Sequence, residues 1–152
     1  MQKDIHQKYL LSNHYDHQWR LVVNSVGFQS VKPGGVYPPD NHPPRYLFST
    51  DTGRVLNEYQ LIYITKGRGV FYSESSGRKK AVNVSEGSFF MLFPGEWHSY
   101  HPDSSTGWDE YWIGFQGELI NQLISDNFFT KENPVLSAGL HEDIIMLYRK
   151  AV

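Results

Sequence analysis

The sequence predicts a mainly β protein, a sandwich or barrel of short strands that is followed by helices at its C-terminal end. Aromatic residues make up 15% of the 152 residues, and such side chains favour strands because they pack well on a pleated surface. Between residues 58 and 115, apolar and aromatic runs recur about every ten residues, separated by turns that contain Gly, Pro or Ser. After residue 117 the apolar residues recur at helical spacing instead.

Residues 1–45 form an N-terminal segment with little regular pattern, in which a short strand is predicted at Leu21–Val23. Its last part, Val31–Arg45, holds five prolines and two glycines. Proline has no N–H to donate to a neighbouring strand, so this part is predicted to be an irregular arm. The aromatic ring of Tyr37, and the aromatic residues that follow the arm, favour an ordered arm over a solvated linker.

Residues 46–116 are predicted to form one β domain. Glycine- and proline-containing turns separate its strands, among them a hairpin turn at Lys66–Gly69. The predicted strands are Tyr59–Thr65, Val70–Glu74, Lys80–Val84, Ser88–Phe93, Trp97–His101 and Trp108–Phe115.

Residues 117–152 are predicted to be helical. The first amphipathic helix covers Gly117–Phe128, and its apolar stripe consists of Leu119, Ile120, Leu123 and Ile124. A stripe of this width can pack on the β domain or on a second copy of the chain. A second helical pattern runs over Leu140–Val152, and because no Gly or Pro ends it, we expect it to continue in a longer chain.

Composition excludes several kinds of site. The formal charge is −2, from 14 basic and 16 acidic residues, whereas a segment that binds a phosphate backbone by itself normally shows a basic excess. There is no cysteine, which excludes disulfides, thiolate zinc sites and cysteine nucleophiles. No apolar run suits a signal peptide or a membrane span, so we expect a cytoplasmic protein without a membrane partner.

The most specific segment runs from Gly87 to His98, a glycine turn, a buried strand, a Pro-Gly kink and a histidine. It resembles the second motif of the cupin superfamily. In metal-dependent cupins this histidine joins a His-x-His pair and a carboxylate from the first motif, but the corresponding region here, Gly67–Gly77, contains no histidine. One imidazole does not hold a divalent metal well. We therefore expect no metal, no other cofactor and no catalytic residue.

Two further blocks, residues 58–69 and 109–117, resemble the opening and closing strands of the sensor domain of AraC-type transcription regulators, and all three blocks occur in that family's order. The resemblance implies a cupin-like double-stranded β-helix (jelly-roll) barrel followed by C-terminal α-helices. It also implies binding of a small effector, often a sugar, and a homodimer formed through Leu119, Ile120, Leu123 and Ile124. DNA is contacted in this family by a C-terminal helix-turn-helix domain, which these 152 residues do not contain.

The resemblance places effector contacts at Arg54, Tyr100, Glu110 and Trp112, and His98 shares a strand face with Tyr100. An aromatic ring can stack on a sugar, while a carboxylate and a guanidinium bind its hydroxyls. Each residue also has a structural explanation. Trp112 and its neighbour Trp108 can be core packing, Arg54 can be the ion-pair partner of Glu110, and His98 can be a buried structural histidine.

We therefore expect a sensor without enzymatic activity, in which the effector orders the arm Val31–Arg45 over the mouth of the barrel. Two alternatives stay open at this point. One is a metal-dependent cupin enzyme, an isomerase, epimerase or dioxygenase. The other is a free-standing carbohydrate-binding module.

Overall fold

The computed structural model describes residues 5–39 and 44–152 and contains a sheet of nine antiparallel strands. The strands are β1 (Ile5–Tyr9), β2 (Val22–Val31), β3 (Arg54–Val55), β4 (Tyr59–Ser75), β5 (Arg78–Ser85), β6 (Ser88–Leu92), β7 (Trp97–Pro102), β8 (Trp108–Gln116) and β9 (Val135–Ser137). The helices are α1 (His14–His17), α2 (Glu118–Ser125) and α3 (Glu142–Ala151), with a 3-10 turn at Pro44–Tyr46. The predicted mainly β fold with C-terminal helices is confirmed.

Strand β4 holds the two halves of the sheet together. Its first half pairs with β6 and β8, and its second half pairs with β5 and β7. The predicted hairpin turn at Lys66–Gly69 is therefore wrong, because β4 is one strand of 17 residues. A bulge between Ile64 and Lys66 and the positive φ of Gly67, 80°, bend the strand there. Bends of this kind let one strand pass from one sheet to another at a corner.

The N-terminal segment also belongs to the sheet. Strand β2 is ten residues long, much longer than the strand predicted at Leu21–Val23, and lies between β1 and β8. It carries apolar residues on alternate positions, but Asn24, Ser25, Gln29 and Ser30 interrupt the pattern. This mixture explains why local sequence did not predict its full length.

Alternation along β8 divides the core into two clusters. Trp108, Glu110 and Trp112 are all buried, and the two tryptophans belong to the cluster inside the barrel. Tyr111 points to the opposite face, where it packs with Ile145 and Tyr148 under α3. The predicted division of the strand into two faces is confirmed.

Helix α2 lies against the barrel. Ile120 is buried in a cluster with Tyr59, Met91 and Phe93, and Leu123 and Ile124 pack against the same cluster. Leu119 is 47% exposed. Most of the apolar stripe is thus used within the chain. Among the described residues, no helix has both the length and the apolar character that a membrane span requires.

Candidate functional site

The interior of the barrel holds a guanidinium that is fixed from several sides. Arg54 on β3 pairs with His98 on β7, and its Nε donates a hydrogen bond to His98 Nε2 at 3.1 Å. Its Nη2 donates to the hydroxyl of Tyr100 at 2.7 Å, and its Nη1 donates to the carbonyl of Tyr46. The ring of Phe48 lies 4.6 Å from the guanidinium carbon, a cation–π distance. These contacts leave Arg54 with one orientation.

His98 holds that orientation. Its side chain is 2% exposed, and its Nδ1 lies 3.3 Å from the carbonyl of Glu96. Since Nε2 accepts from Arg54, the proton belongs on Nδ1, which donates to that carbonyl. Burial and the positive charge of Arg54 lower the pKa of His98 to about 3. His98 is thus a neutral histidine whose free lone pair is already occupied.

Glu110 lies in the same interior and is 4% exposed. The hydroxyl of Tyr37 donates to its Oε1 at 3.1 Å. Burial raises the pKa of Glu110 to about 8, although the Tyr37 hydrogen bond and the charge of Arg54 act in the opposite direction. The ion pairs found between described residues do not include Glu110. Arg54 is therefore not its direct ion-pair partner, contrary to one structural explanation considered above.

Tyr37 brings the proline-rich arm into the barrel. Its ring meets Trp108 edge to face at 5.7 Å and Phe48 at 6.3 Å. Burial and the adjacent Glu110 raise the pKa of Tyr37 well above its ordinary value, so the hydroxyl remains a donor. The prediction of an ordered arm is confirmed for residues 31–39; residues 40–43 lie outside the described part of the chain.

These side chains almost fill the barrel interior, which we call the lumen. Its cavity measures about 30 Å³, a volume suited to about one water molecule. A sugar-sized ligand therefore needs one of the lining side chains to move. The lining residues are Tyr9, Tyr37, Pro38, Tyr46, Phe48, Arg54, Gln60, Ile62, Tyr100, Glu110 and Trp112.

Comparison with known proteins identifies the family. Residues 33–148 match the family described as AraC-like ligand binding domain. The chain belongs to this family. No curated protein sequence matches this AraC-like domain, but many solved structures do.

Three solved structures illustrate the shared fold. YhaK from Escherichia coli is 14% identical with a TM-score of 0.50, over 74% of this chain and 44% of that one. A predicted oxalate decarboxylase from Thermotoga maritima is 19% identical with a TM-score of 0.46, over 74% and 80% of the two chains. Bacillus subtilis oxalate decarboxylase is 18% identical with a TM-score of 0.46, over 80% and 34%. This AraC-like domain thus spans less than half the length of YhaK, and the likeness concerns fold alone.

The structure of this AraC-like domain brings together all five residues predicted for the effector site. Arg54, Tyr100, Glu110 and Trp112 line the lumen, and His98 lies behind Arg54. Their role in binding stays a prediction.

Sequence reasoning missed Phe48 and Gln60 as lining residues, and it did not predict the bond from Tyr37 to Glu110. The one available signal was the run of aromatic residues in and after the arm.

Proposed function

We propose that this AraC-like domain is the effector-sensing module of a cytoplasmic transcription regulator, that it is not an enzyme, and that it binds a sugar in the lumen. One observation carries the proposal. Arg54 and Glu110 lie in one aromatic interior, yet each bonds to a tyrosine hydroxyl, Tyr100 and Tyr37 respectively. The two hydroxyls mark positions where hydroxyl groups of a ligand would be recognised.

The chemistry of these groups suits a polyhydroxylated ligand. Arg54 can only donate hydrogen bonds. Glu110, with its pKa raised to about 8, carries a proton over most of the neutral range and can both accept and donate. The rings of Tyr100 and Trp112 supply the flat apolar surfaces on which the C–H face of a pyranose packs.

Binding in this lumen requires competition with the arm. The earlier expectation was that the effector orders the arm over the barrel mouth, but Tyr37 already occupies the lumen and bonds to Glu110. We propose instead that a sugar hydroxyl takes the place of the Tyr37 hydroxyl at Glu110. The equilibrium between the two positions of the arm would then be the switch that is read by a DNA-binding domain elsewhere in the regulator.

A thermal-shift screen of mono- and disaccharides tests the proposal. A sugar at 100 times its dissociation constant should stabilise the domain by about 2.7 kcal/mol, and Arg54→Gln should weaken its binding at least tenfold. Arg78→Gln is the matched control, because Arg78 is exposed in the β4–β5 turn. The same sugar should increase proteolytic cleavage of the arm. Unchanged affinity in Arg54→Gln would contradict the proposed site, and protection of the arm would contradict the competition.

We further propose that the domain forms a homodimer through its C-terminal helices. Since Ile120, Leu123 and Ile124 pack on the barrel, Leu119 is the member of the predicted stripe that is available to a partner. We expect Leu119→Glu to raise the dimer dissociation constant at least tenfold in sedimentation experiments. Ser125→Glu, an exposed position on the same helix, should leave it unchanged, and equal effects of the two variants would contradict this interface.

The metal-dependent enzyme receives less support. Among the described residues, no group of three or more His, Asp or Glu side chains is arranged to hold a metal ion, and the free lone pair of His98 accepts from Arg54. Stoichiometric iron, manganese or zinc in purified protein would contradict our proposal. The length of the parent reading frame distinguishes a regulator from a free-standing carbohydrate-binding module.

A further inference from the structure

A second cavity lies outside the lumen, between the loop after β1 and the junction of β3 with β4. Its volume is about 390 Å³, against about 30 Å³ for the lumen. Small-molecule sites usually measure about 300–1,000 Å³, so this cavity can take a ligand without rearrangement. It is lined by Leu10, Leu11, Ser12, Asn24, Tyr46, Val55, Leu56, Asn57, Glu58 and Gln116.

Glu58 is the charged residue of this cavity, and it is 7% exposed. Its Oε1 accepts from the Tyr46 hydroxyl at 2.8 Å and from Gln60 Nε2 at 3.1 Å, and its Oε2 accepts from Asn24 Nδ2 at 2.7 Å. The ion pairs between described residues do not include Glu58, and the lining contains no Lys, Arg or His. A buried carboxylate without a cation is costly, so a positive ligand would be favoured here.

The backbone is shaped around this carboxylate. The register of β2 shifts between Val23 and Ser25, and Asn24 at this bulge turns its side chain to Glu58 while its carbonyl accepts from the N–H of Leu10 at 2.8 Å. Bulges commonly re-aim a side chain near a functional site. Across the sheet, a Cβ on Gly114 would lie 3.1 Å from Glu58 Oε1 and 2.4 Å from Ser25 Oγ. Only glycine leaves room for the carboxylate.

The rim of the cavity is apolar. Leu10 is 46% exposed, Val55 is 52% exposed and Leu11 is fully exposed. An acceptor at the base and aliphatic side chains at the rim match a molecule with a positive head and an aliphatic body. The side-chain oxygens of Ser12 and Asn57, which also line the cavity, can accept further N–H groups of an ammonium, which has three to donate.

We propose that this cavity is a second binding site, for a small aliphatic amine whose ammonium group pairs with Glu58. The site does not depend on the sugar site. It does share two residues with the lumen, because Tyr46 and Gln60 line the lumen and both bond to Glu58.

Titration of the full chain with n-butylamine, followed by calorimetry at constant ionic strength, tests the proposal. We expect saturable binding, with 1-butanol binding at least tenfold more weakly. Glu58→Gln should reduce the affinity for butylamine at least tenfold, whereas Glu86→Gln, which removes an exposed carboxylate, should not.

A second variant guards against a folding defect in Glu58→Gln. Leu11→Lys places a positive charge at the rim on a fully exposed side chain, so it should fold normally and still weaken butylamine binding at least tenfold. Arg54→Gln should leave butylamine binding intact, which separates this site from the proposed sugar site. Equal binding of butylamine and butanol, or unchanged affinity in both Glu58→Gln and Leu11→Lys, would overturn the proposal.

Discussion

Replacing Glu110 with Gln is expected to abolish the loss of stability that this domain undergoes between about pH 6.5 and pH 8. The folded domain holds Glu110 with a pKa of about 8, against an ordinary value of 4.5. Between these values the folded state binds a proton that the unfolded chain has released. The free energy of unfolding therefore falls as the pH rises, by up to about 1.4 kcal/mol per pH unit, and the loss is complete above pH 8.

His98 acts in the opposite direction at lower pH. Its pKa is lowered to about 3 from an ordinary 6.5, so below pH 6.5 the unfolded chain takes up a proton that the folded state does not. Stability therefore falls as the pH drops from 6.5 to 3. Between pH 4.5 and 6.5 the two effects oppose each other and a plateau is expected. Above pH 6.5 the effect of Glu110 remains alone.

Denaturant unfolding at half-unit pH steps measures this behaviour. Across pH 6.5 to 8 the wild type should lose about 2 kcal/mol and Glu110→Gln should stay nearly constant. Glu86→Gln provides the control, since it removes an exposed carboxylate and should follow the wild type. Parallel curves for Glu110→Gln and the wild type would show that Glu110 ionises at an ordinary pH.

Substituting Gly27 with Ala is expected to destabilise the domain by about 3 kcal/mol, at the upper end of the usual cost of overpacking. Gly27 pairs directly with Trp112 across β2 and β8. A Cβ at this position would lie 2.2, 2.5 and 2.6 Å from three carbon atoms of the indole. The ring is 7% exposed and packed in the core cluster, so it has little room to retreat.

The same substitution should reduce sugar affinity, because Trp112 lines the lumen and would be displaced. A double-mutant cycle with Trp112→Leu supplies the control, since the smaller side chain frees the space next to residue 27. We expect Gly27→Ala to cost little once Trp112→Leu is present. Additive losses in the double variant would show that the steric conflict with Trp112 is not the cause.

Local pattern predicted what depends on neighbouring residues. Apolar alternation predicted the strand Trp108–Phe115 and its two faces, because side chains alternate along any strand. The same reasoning failed at Lys66–Gly69. A Gly-x-Gly segment suits a hairpin turn and a bent strand equally, and the choice is made by distant partners, β5 and β7 on one side and β6 and β8 on the other.

The site residues divide in the same way. Arg54, Tyr100, Glu110 and Trp112 were predicted from a family resemblance, and their meeting in one lumen needed the fold. The burial of Glu58 had no local signal, because it depends on Gly114 in β8 and on a bulge in β2, both far away in the sequence.

The pairing of β2 with β8 has a consequence for synthesis of the chain. Val31 pairs with Trp108 and Val22 with Gln116, so β2 leaves the ribosome long before its partner exists. Contacts so far apart in sequence slow folding, and an unpaired strand edge invites aggregation in the meantime. The nascent domain therefore has a vulnerable interval that ends only when β8 emerges, and β1, which pairs with the other edge of β2, covers half of that strand from the start.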